Sequence, residues 1–159
     1  MSYIDKIKER ARLDKKTIVL PETNDKRTLI AAAKIMEEGI ADIIMVGNGS
    51  EVSTLIAGAR MLRQDGYKVR VISAPSEGLF RNQPIEYQRE LFPIGSKVFG
   101  LSAGLPVNLE GFLVGAHPSS RVYGLESFGF SAPYKVLDEK LGYTAENVYN
   151  QAKSILDQD

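Results

Sequence analysis

The stretch IIMVGNGSEVSTLIAGA, residues 43–59, decides how this chain folds. It begins with a continuous apolar run, turns at Gly47-Asn48-Gly49-Ser50, and continues with the spacing of an amphipathic helix. A continuous apolar run is typical of a strand that is covered on both faces, as in parallel sheets. The stretch therefore predicts a buried strand, a glycine-rich turn and a helix, the repeating unit of α/β proteins.

Segments of the same kind occur on both sides of this stretch. Before it, TIVLPE (residues 17–22) predicts a strand that Pro21 ends, and residues 24–39 have a helical pattern. After it, β-branched runs predict three further strands, at residues 68–74, 96–104 and 121–127. Further helices are predicted at residues 50–66, 84–92, 132–142 and 145–156, the last capped by Thr144. The sequence thus predicts one α/β domain over residues 1–159, with five strands.

The composition excludes several classes of function. The 159 residues include 20 basic and 20 acidic side chains, so no net charge attracts nucleic acid or an anionic membrane. Cysteine is absent from the sequence, which excludes disulfides, thiolate nucleophiles and cysteine-ligated metals. No apolar run approaches the ~20 residues that span a bilayer. We therefore expect a cytoplasmic protein with no nucleic-acid partner and no membrane partner.

The turn Gly47-Asn48-Gly49-Ser50 is the first candidate site. Free N–H groups and the helix dipole favour an anion at a helix start, so such a turn can hold phosphate. However, it matches neither G-x-x-x-x-G-K-[ST] nor G-x-G-x-x-G, because Val52 stands where the third glycine belongs. Glu51 would also repel an anion. Two interpretations stay open, an anion site or an ordinary turn with Ser50 as the N-cap, and the sequence favours the second.

Few other residues carry chemistry. His117, the single histidine, precedes Pro118 and is expected to be a solvated loop residue rather than a general base. Glu22 and Asp25 follow the first predicted strand and are expected to be charges at a helix start. An aromatic cluster is expected to pack against the last strand and helix: Tyr123, Phe128, Phe130 and Tyr134. No metal-binding spacing occurs, so we predict neither catalytic residues nor a metal site.

Two resemblances to known families add to these patterns. Residues 1–48, with TIVLPE, GIAD and the closing VGN, resemble the amino-terminal end of phosphate acetyltransferases. From Gly49 onward, GSEV, KVRVISAPS, SAPYKVL and TAENV resemble the carboxy-terminal domain of transketolases. The two resemblances meet at Asn48 and Gly49. We interpret the chain as an engineered chimera of two enzyme fragments, with a natural fusion as the alternative.

The resemblances imply that the chain has no activity of its own. The residues of phosphate acetyltransferases that bind coenzyme A and acetyl phosphate lie beyond the matched segment. In transketolases the two preceding domains hold thiamine diphosphate and its magnesium. We therefore expect no transferase activity, no cofactor, and a monomer or weak homo-oligomer.

Two alternatives to a catalytically silent chain stay open. One is a crevice at the strand ends that binds a phosphate-bearing small molecule or a nucleotide. Its lining would come from three loops: residues 21–25, 47–50 and 102–106. The other is a transketolase carboxy-terminal subunit that requires partner domains.

The resemblance also guides the predicted order of the five strands, numbered along the chain. It pairs strand 2 with strand 3 and strand 4 with strand 5, and it places strand 2 beside strand 4. A right-handed crossover then puts strand 1 either between strands 2 and 4 or at an edge. We favour the order 3-2-1-4-5 in a three-layer α/β/α Rossmann-like domain, mainly parallel, because strand 1 is apolar enough for a central position. Strand 3 would then be an edge strand, which Lys68 and Arg70 would guard against strand addition.

Overall fold

The structure is a computed structural model, and it describes residues 42–158 of the chain. This part contains four strands, which are β1 Ile43–Gly47, β2 Val69–Ser73, β3 Val98–Leu101 and β4 Arg121–Tyr123. Its α-helices are α1 Glu51–Gln64, α2 Glu77–Arg81, α3 Ile85–Leu91, α4 Val107–Glu110, α5 Tyr134–Leu141 and α6 Ala145–Leu156. A single 3-10 turn, Gly111–Leu113, follows α4 within the described range.

All four strands are parallel, in the order β2-β1-β3-β4. β1 pairs with β2 from Ile43 opposite Val69, and with β3 from Ile44 opposite Val98. Every residue of β1 and β3 is buried, as the apolar runs predict for central strands. The α/β class with a parallel sheet flanked by helices is therefore confirmed, and so is the pairing of predicted strands 2 with 3 and 4 with 5.

The predicted order 3-2-1-4-5 is wrong at its centre. β1 and β3, which are strands 2 and 4 of the prediction, are hydrogen-bonded directly to each other. Both backbone edges of β1 are occupied, by β2 and by β3, so no strand can be inserted between them. An apolar sequence shows only that a strand is covered on its faces, and it does not specify which strand satisfies its backbone edges. The predicted first strand, residues 17–22, lies outside the described residues, as do Glu22 and Asp25.

The main core lies between one face of the sheet and the helices α1 and α6. Leu55 and Leu62 from α1 meet Val148 and Ile155 from α6 over the strand residue Met45, and all five are fully buried. A second cluster consists of the rings of Phe80, Phe92 and Phe112, whose centroids are 4.8 to 5.5 Å apart. Such tilted and edge-to-face pairs are favourable arrangements of aromatic rings.

Several boundaries differ from the predicted ones. The predicted helices correspond to α1, α3, α5 and α6, whereas the short helices α2 and α4 were not predicted. β4 ends at Tyr123 rather than at residue 127. Gly124 lies against the loop after β3, since a Cβ there would be 2.7 Å from the carbonyl oxygen of Gly104. The N–H of Leu125 donates to that same oxygen at 2.9 Å, so the backbone leaves the sheet at this point.

The edge position of β2 agrees with the prediction within the described sheet. The side chain of Arg70, however, turns toward α3, and its Nη1 donates to the carbonyl oxygens of Glu90 and Leu91 at 3.3 and 3.5 Å. Burial lowers the pKa of this guanidinium. Arg70 therefore ties the edge strand to the end of a helix.

Candidate functional site

The candidate turn lies at the point where the order of the sheet reverses. β1 connects to β2 on one side, and β3 connects to β4 on the other, so the connections diverge between β1 and β3. Open α/β sheets bind ligands at such switch points, outside the carboxyl ends of the strands. Residues 47–50 begin at the last residue of β1, residues 102–106 follow β3, and Gly47 is paired with Leu101. Two of the three loops expected to line a crevice are thus neighbours, and the third, residues 21–25, lies outside the described part.

Packing accounts for Gly47 without any ligand. A Cβ at this position would be 2.8 Å from Cδ1 of Leu55 and 3.0 Å from the carbonyl oxygen of Leu101. The carbonyl oxygen of Gly47 accepts a hydrogen bond from the N–H of Ala74 at 2.8 Å. Only glycine lets β1 end this close to both α1 and β3.

In the rest of the turn, the side chain of Ser50 bonds to the carboxylate of Glu51 rather than to the helix backbone. Gly49 has φ +54°, the left-handed region that glycine adopts at little cost. Ser50 occupies the N-cap position of α1, as predicted, but its side chain makes no capping hydrogen bond. Its Oγ donates instead to Oε1 of Glu51 at 2.8 Å. The negative charge of Glu51 therefore stands at the helix start, where a phosphate would need positive charge or free N–H groups.

A pair of tyrosines lies behind the loop after β3, and of these two the sequence analysis named Tyr123 but not Tyr143. The hydroxyl of Tyr143 donates to the carbonyl oxygen of the buried Ser102 at 2.9 Å. The hydroxyl of Tyr123 donates to the carbonyl oxygen of Leu141 at 2.9 Å. The two rings meet edge to face, with centroids 5.9 Å apart. Tyrosine hydroxyls need hydrogen-bond partners when they are buried. The position of Tyr143, between the helix-ending Gly142 and the capping Thr144, was the sequence signal that could have indicated such a role.

The electrostatics of Tyr143 keep it a hydrogen-bond donor. Burial raises the pKa of its phenol, and smaller contributions from Tyr123 and Glu51 act in the same direction. The neutral hydroxyl can therefore hold the backbone of Ser102, whose own Oγ accepts from the N–H of Gly104 at 3.1 Å. These bonds fix the loops at the edge, and they do not form a nucleophile with a base.

His117 lies far from this edge in the topology, because it precedes β4 at the amino end of the sheet. It lies in a loop, as expected, and is partly exposed to solvent. Its Nδ1 is 2.7 Å from Oγ of Ser119 and accepts from the N–H of Ser119 at 3.2 Å. The N–H of His117 donates to the carbonyl oxygen of Ser96 at 2.9 Å. A tight turn uses all of these groups to hold the start of β4 beside the start of β3.

The expected packing of the aromatic cluster is confirmed only in part. Tyr123 packs against the core and against Tyr143. The other three rings, those of Phe128, Phe130 and Tyr134, are exposed. The strand ends before these residues begin, so the sheet offers no face that they can cover.

The transketolase resemblance assigns thiamine diphosphate and its magnesium to the two preceding domains rather than to this one. Between residues 42 and 158, no three or more His, Asp or Glu side chains form a group that could hold a metal ion. No helix within residues 42–158 has the length and apolar character needed to cross a membrane.

The parallel sheet and the switch point between its central strands β1 and β3 place this chain in the class of Rossmann-like α/β domains. Within that class, the chain belongs to the family described as the transketolase-like TK C-terminal domain, whose model matches residues 19–144. The transketolase resemblance is therefore confirmed. The match begins inside residues 1–48, and the resemblance of that segment to phosphate acetyltransferases stays a prediction.

Individual relatives agree with the family. Transketolase 2 of Vibrio parahaemolyticus is 35% identical over 124 residues, which are 75% of this chain and 18% of that protein. Transketolase 1 of Pasteurella multocida is 36% identical over 122 residues, which are 72% of this chain and 17% of that protein. The chain therefore spans less than a fifth of the length of the curated relatives that it matches.

Solved structures show the same partial coverage. The transketolase of Pichia stipitis in complex with sedoheptulose-7-phosphate is 26% identical with a TM-score of 0.64, over 73% of this chain and 16% of that one. A split gene transketolase, described as an inactive β4 tetramer, has the same fold at 21% identity and a TM-score of 0.52. The match covers 72% of this chain and 39% of the split gene transketolase chain.

Proposed function

We propose that this chain acts as the carboxy-terminal domain of a transketolase, in the form of a subunit that requires partner domains for ketol transfer. The observation that carries this proposal is the family match over residues 19–144. In the curated relatives, the region that matches this chain is less than a fifth of the whole protein. In this proposal the partner domains hold thiamine diphosphate and magnesium, and the chain has no transferase activity by itself.

The same proposal describes the chain in isolation. We expect a cytoplasmic monomer or weak homo-oligomer that binds neither nucleic acid nor membranes. The equal numbers of acidic and basic residues and the absence of cysteine from the sequence support this expectation.

Reconstitution of ketol transfer tests the proposal. The Vibrio parahaemolyticus relative, truncated to remove the region that matches this chain, would supply the partner domains. Three samples are assayed with thiamine diphosphate and magnesium: the chain alone, the truncated relative alone, and their mixture. The donor is xylulose 5-phosphate, with which a Pichia stipitis transketolase variant has been crystallised, and the acceptor is an aldose phosphate. We expect no activity from the chain alone and a gain in rate on mixing. Activity of the chain alone, or no gain on mixing, would contradict the proposal.

A second candidate is a silent chimera that joins a phosphate acetyltransferase-like segment, residues 1–48, to the transketolase-like domain. The motifs TIVLPE, GIAD and VGN favour this interpretation. The family match from residue 19 argues against a boundary at Asn48. The reconstitution experiment separates the two candidates, since a chimera with no remaining activity would add nothing to the truncated relative.

Binding of a phosphate-bearing small molecule or a nucleotide at residues 47–50 stays a prediction. The position at the switch point favours it, and the carboxylate of Glu51 opposes it. A thermal-shift series with inorganic phosphate and nucleotides tests this binding. A concentration-dependent rise in Tm that Ser50→Glu abolishes would support the site, and an unchanged Tm across the series would remove it.

A further inference from the structure

Three aromatic side chains just beyond the carboxyl edge of the sheet point into solvent. Phe128 is 97% exposed, Phe130 63% and Tyr134 69%. The next apolar position along α5, Val136, is also exposed. We refer to Phe128, Phe130, Tyr134 and Val136 as the aromatic patch.

Exposure on this scale is unusual for a domain that functions alone. A covered aromatic side chain buries about 150–250 Å², so the three exposed rings together present several hundred Å² of apolar surface. Patches of that size on soluble proteins mark interaction sites. α5 has no fully buried residue, and only part of it, including Leu137 and Leu141, is partly covered by its own domain.

Backbone hydrogen bonds flank the segment that carries the aromatic patch. At the start of the segment, the N–H of Leu125 donates to the carbonyl oxygen of Gly104 at 2.9 Å. At its end, the carbonyl oxygen of Leu141 accepts from the hydroxyl of Tyr123 at 2.9 Å. Between them, the carbonyl oxygen of Pro133 accepts from the N–H of Val136 at 2.9 Å and starts α5. The chain is thus attached to the rest of the domain on both sides of Phe128 and Phe130, which themselves lie in a loop without regular secondary structure.

The contact between α1 and α6 ends at the surface in polar and charged groups. Tyr149 and Lys153 of α6 bind the carboxylate of Asp65, the C-cap of α1, at 2.5 and 3.2 Å. Polar and charged groups therefore finish the outer side of that contact. Among residues 42–158, the aromatic patch has no comparable polar cover.

We propose that the aromatic patch is the surface through which this chain docks on the remaining domains of a transketolase. This inference rests on the proposed function. The length of the relatives indicates what covers the patch, because more than four fifths of each of these two relatives lies outside the region that this chain matches. A domain of this family is thus one part of a larger assembly, and an apolar face uncovered by its own core meets the other parts there. Aromatic side chains are also the residues that dominate binding energy at interfaces.

A binding titration tests the assignment of the patch. The full chain, labelled at its amino terminus, is titrated with the truncated Vibrio parahaemolyticus relative and followed by fluorescence anisotropy. The double variant Phe128→Ser/Phe130→Ser removes two rings of the patch. The matched control is Val114→Ser, because Val114 is 83% exposed and precedes β4 at the opposite end of the sheet. Urea denaturation of each variant verifies that it folds.

We expect the double variant to bind about tenfold or more weakly, because a few aromatic residues near the centre of an interface carry most of its binding energy. Its urea midpoint should equal that of the unchanged chain, since exposed side chains contribute little to folding. The control should bind like the unchanged chain. Equal binding of both variants would overturn the patch assignment.

The outcomes also separate this inference from the proposed function. If the unchanged chain binds and restores ketol transfer while the double variant does the same, the proposed function stands and only the patch assignment fails. If the unchanged chain does not bind at all, both fail. Sedimentation of the isolated chain tests whether a second copy of the chain occupies the patch instead. If the double variant abolishes self-association but binds the truncated relative as well as the unchanged chain does, the inference is overturned.

Discussion

At the scale of single residues, Gly58 sets the distance between α1 and α6. It lies in the middle of α1, and a Cβ there would be 2.4 Å from Cγ1 and 2.9 Å from Cβ of Val148. Replacing glycine by alanine inside a helix ordinarily stabilises it by about 1 kcal/mol. Here the β-branched Val148 cannot move away easily, because it is fully buried.

We predict that Gly58→Ala lowers the free energy of unfolding by about 1–3 kcal/mol, the usual cost of overpacking a core. The control is Gly78→Ala in α2, where nothing lies within 4 Å of the added Cβ. That variant should be neutral or slightly stabilising. Urea midpoints measure both, and Val148→Ala combined with Gly58→Ala should recover part of the loss. Equal midpoints for the two single variants would show that the helices adjust to the added methyl group.

At the scale of elements, the starts of the two long helices use different chemistry. The side chain of Thr144 accepts from the N–H of Asn147 at 3.2 Å and caps α6. The side chain of Ser50 at the start of α1 bonds to the carboxylate of Glu51 instead. Sequence reasoning assigned the same role to both residues because serine and threonine are both favoured N-caps.

We predict that Thr144→Ala costs about 1 kcal/mol of stability, the typical value for a lost N-cap. Ser50→Ala serves as the matched variant and should cost much less, because no capping bond is lost. Denaturation midpoints distinguish the two substitutions. A loss at Ser50 as large as that at Thr144 would show that the turn depends on the serine hydroxyl in a way that its contact with Glu51 does not explain.

The contact between the end of α1 and α6 should also depend on pH. The hydrogen bond from Tyr149, and secondly the one from Lys153, lower the pKa of Asp65 below its ordinary value of 3.8. A carboxyl whose pKa is lowered by folding stabilises the protein above its unfolded-state pKa. That contribution is lost as the pH falls through the folded-state pKa.

We predict that Asp65→Asn lowers the urea midpoint at neutral pH, and that the difference from the unchanged chain shrinks in acid below pH 3.8. Tyr149→Phe removes the first cause of the shift and should change the pH dependence in the same direction. Midpoints measured across this range provide the test. A difference that persists undiminished in acid would mean that the carboxylate charge is not the origin of the effect.

At the scale of the whole molecule, the prediction of one domain over residues 1–159 is best tested by cooperativity. Far-ultraviolet circular dichroism during urea unfolding should show a single transition. Its slope should lie in the range of about 1–3 kcal/mol/M that small proteins show, toward the upper end for a chain of this length. Two transitions, or a slope too small for the chain, would show that residues 1–159 do not unfold as one unit.

How much of this protein could be predicted from its sequence depends on how local the signal is. Hydrophobic periodicity correctly located β1 and α1, and the boundaries of α6 agree with the prediction at both ends. The short helices α2 and α4 span only one or two turns, which is too few residues for a helical period to be recognised. The candidate turn was placed correctly, but the tyrosine pair behind it joins residues 20 positions apart and has no local signature.

The sequence by itself determined the α/β class, the alternation of strands and helices, and the resemblance to the transketolase domain. These depend on residue spacing and on short motifs, which are properties of neighbouring residues. Only the tertiary structure decided that β1 and β3 lie side by side, that Gly47 is required by close packing, and that Phe128 and Phe130 are left exposed. The physical reason is that backbone edges and side-chain faces are satisfied by residues distant in the chain, and local patterns do not specify which distant residues those are.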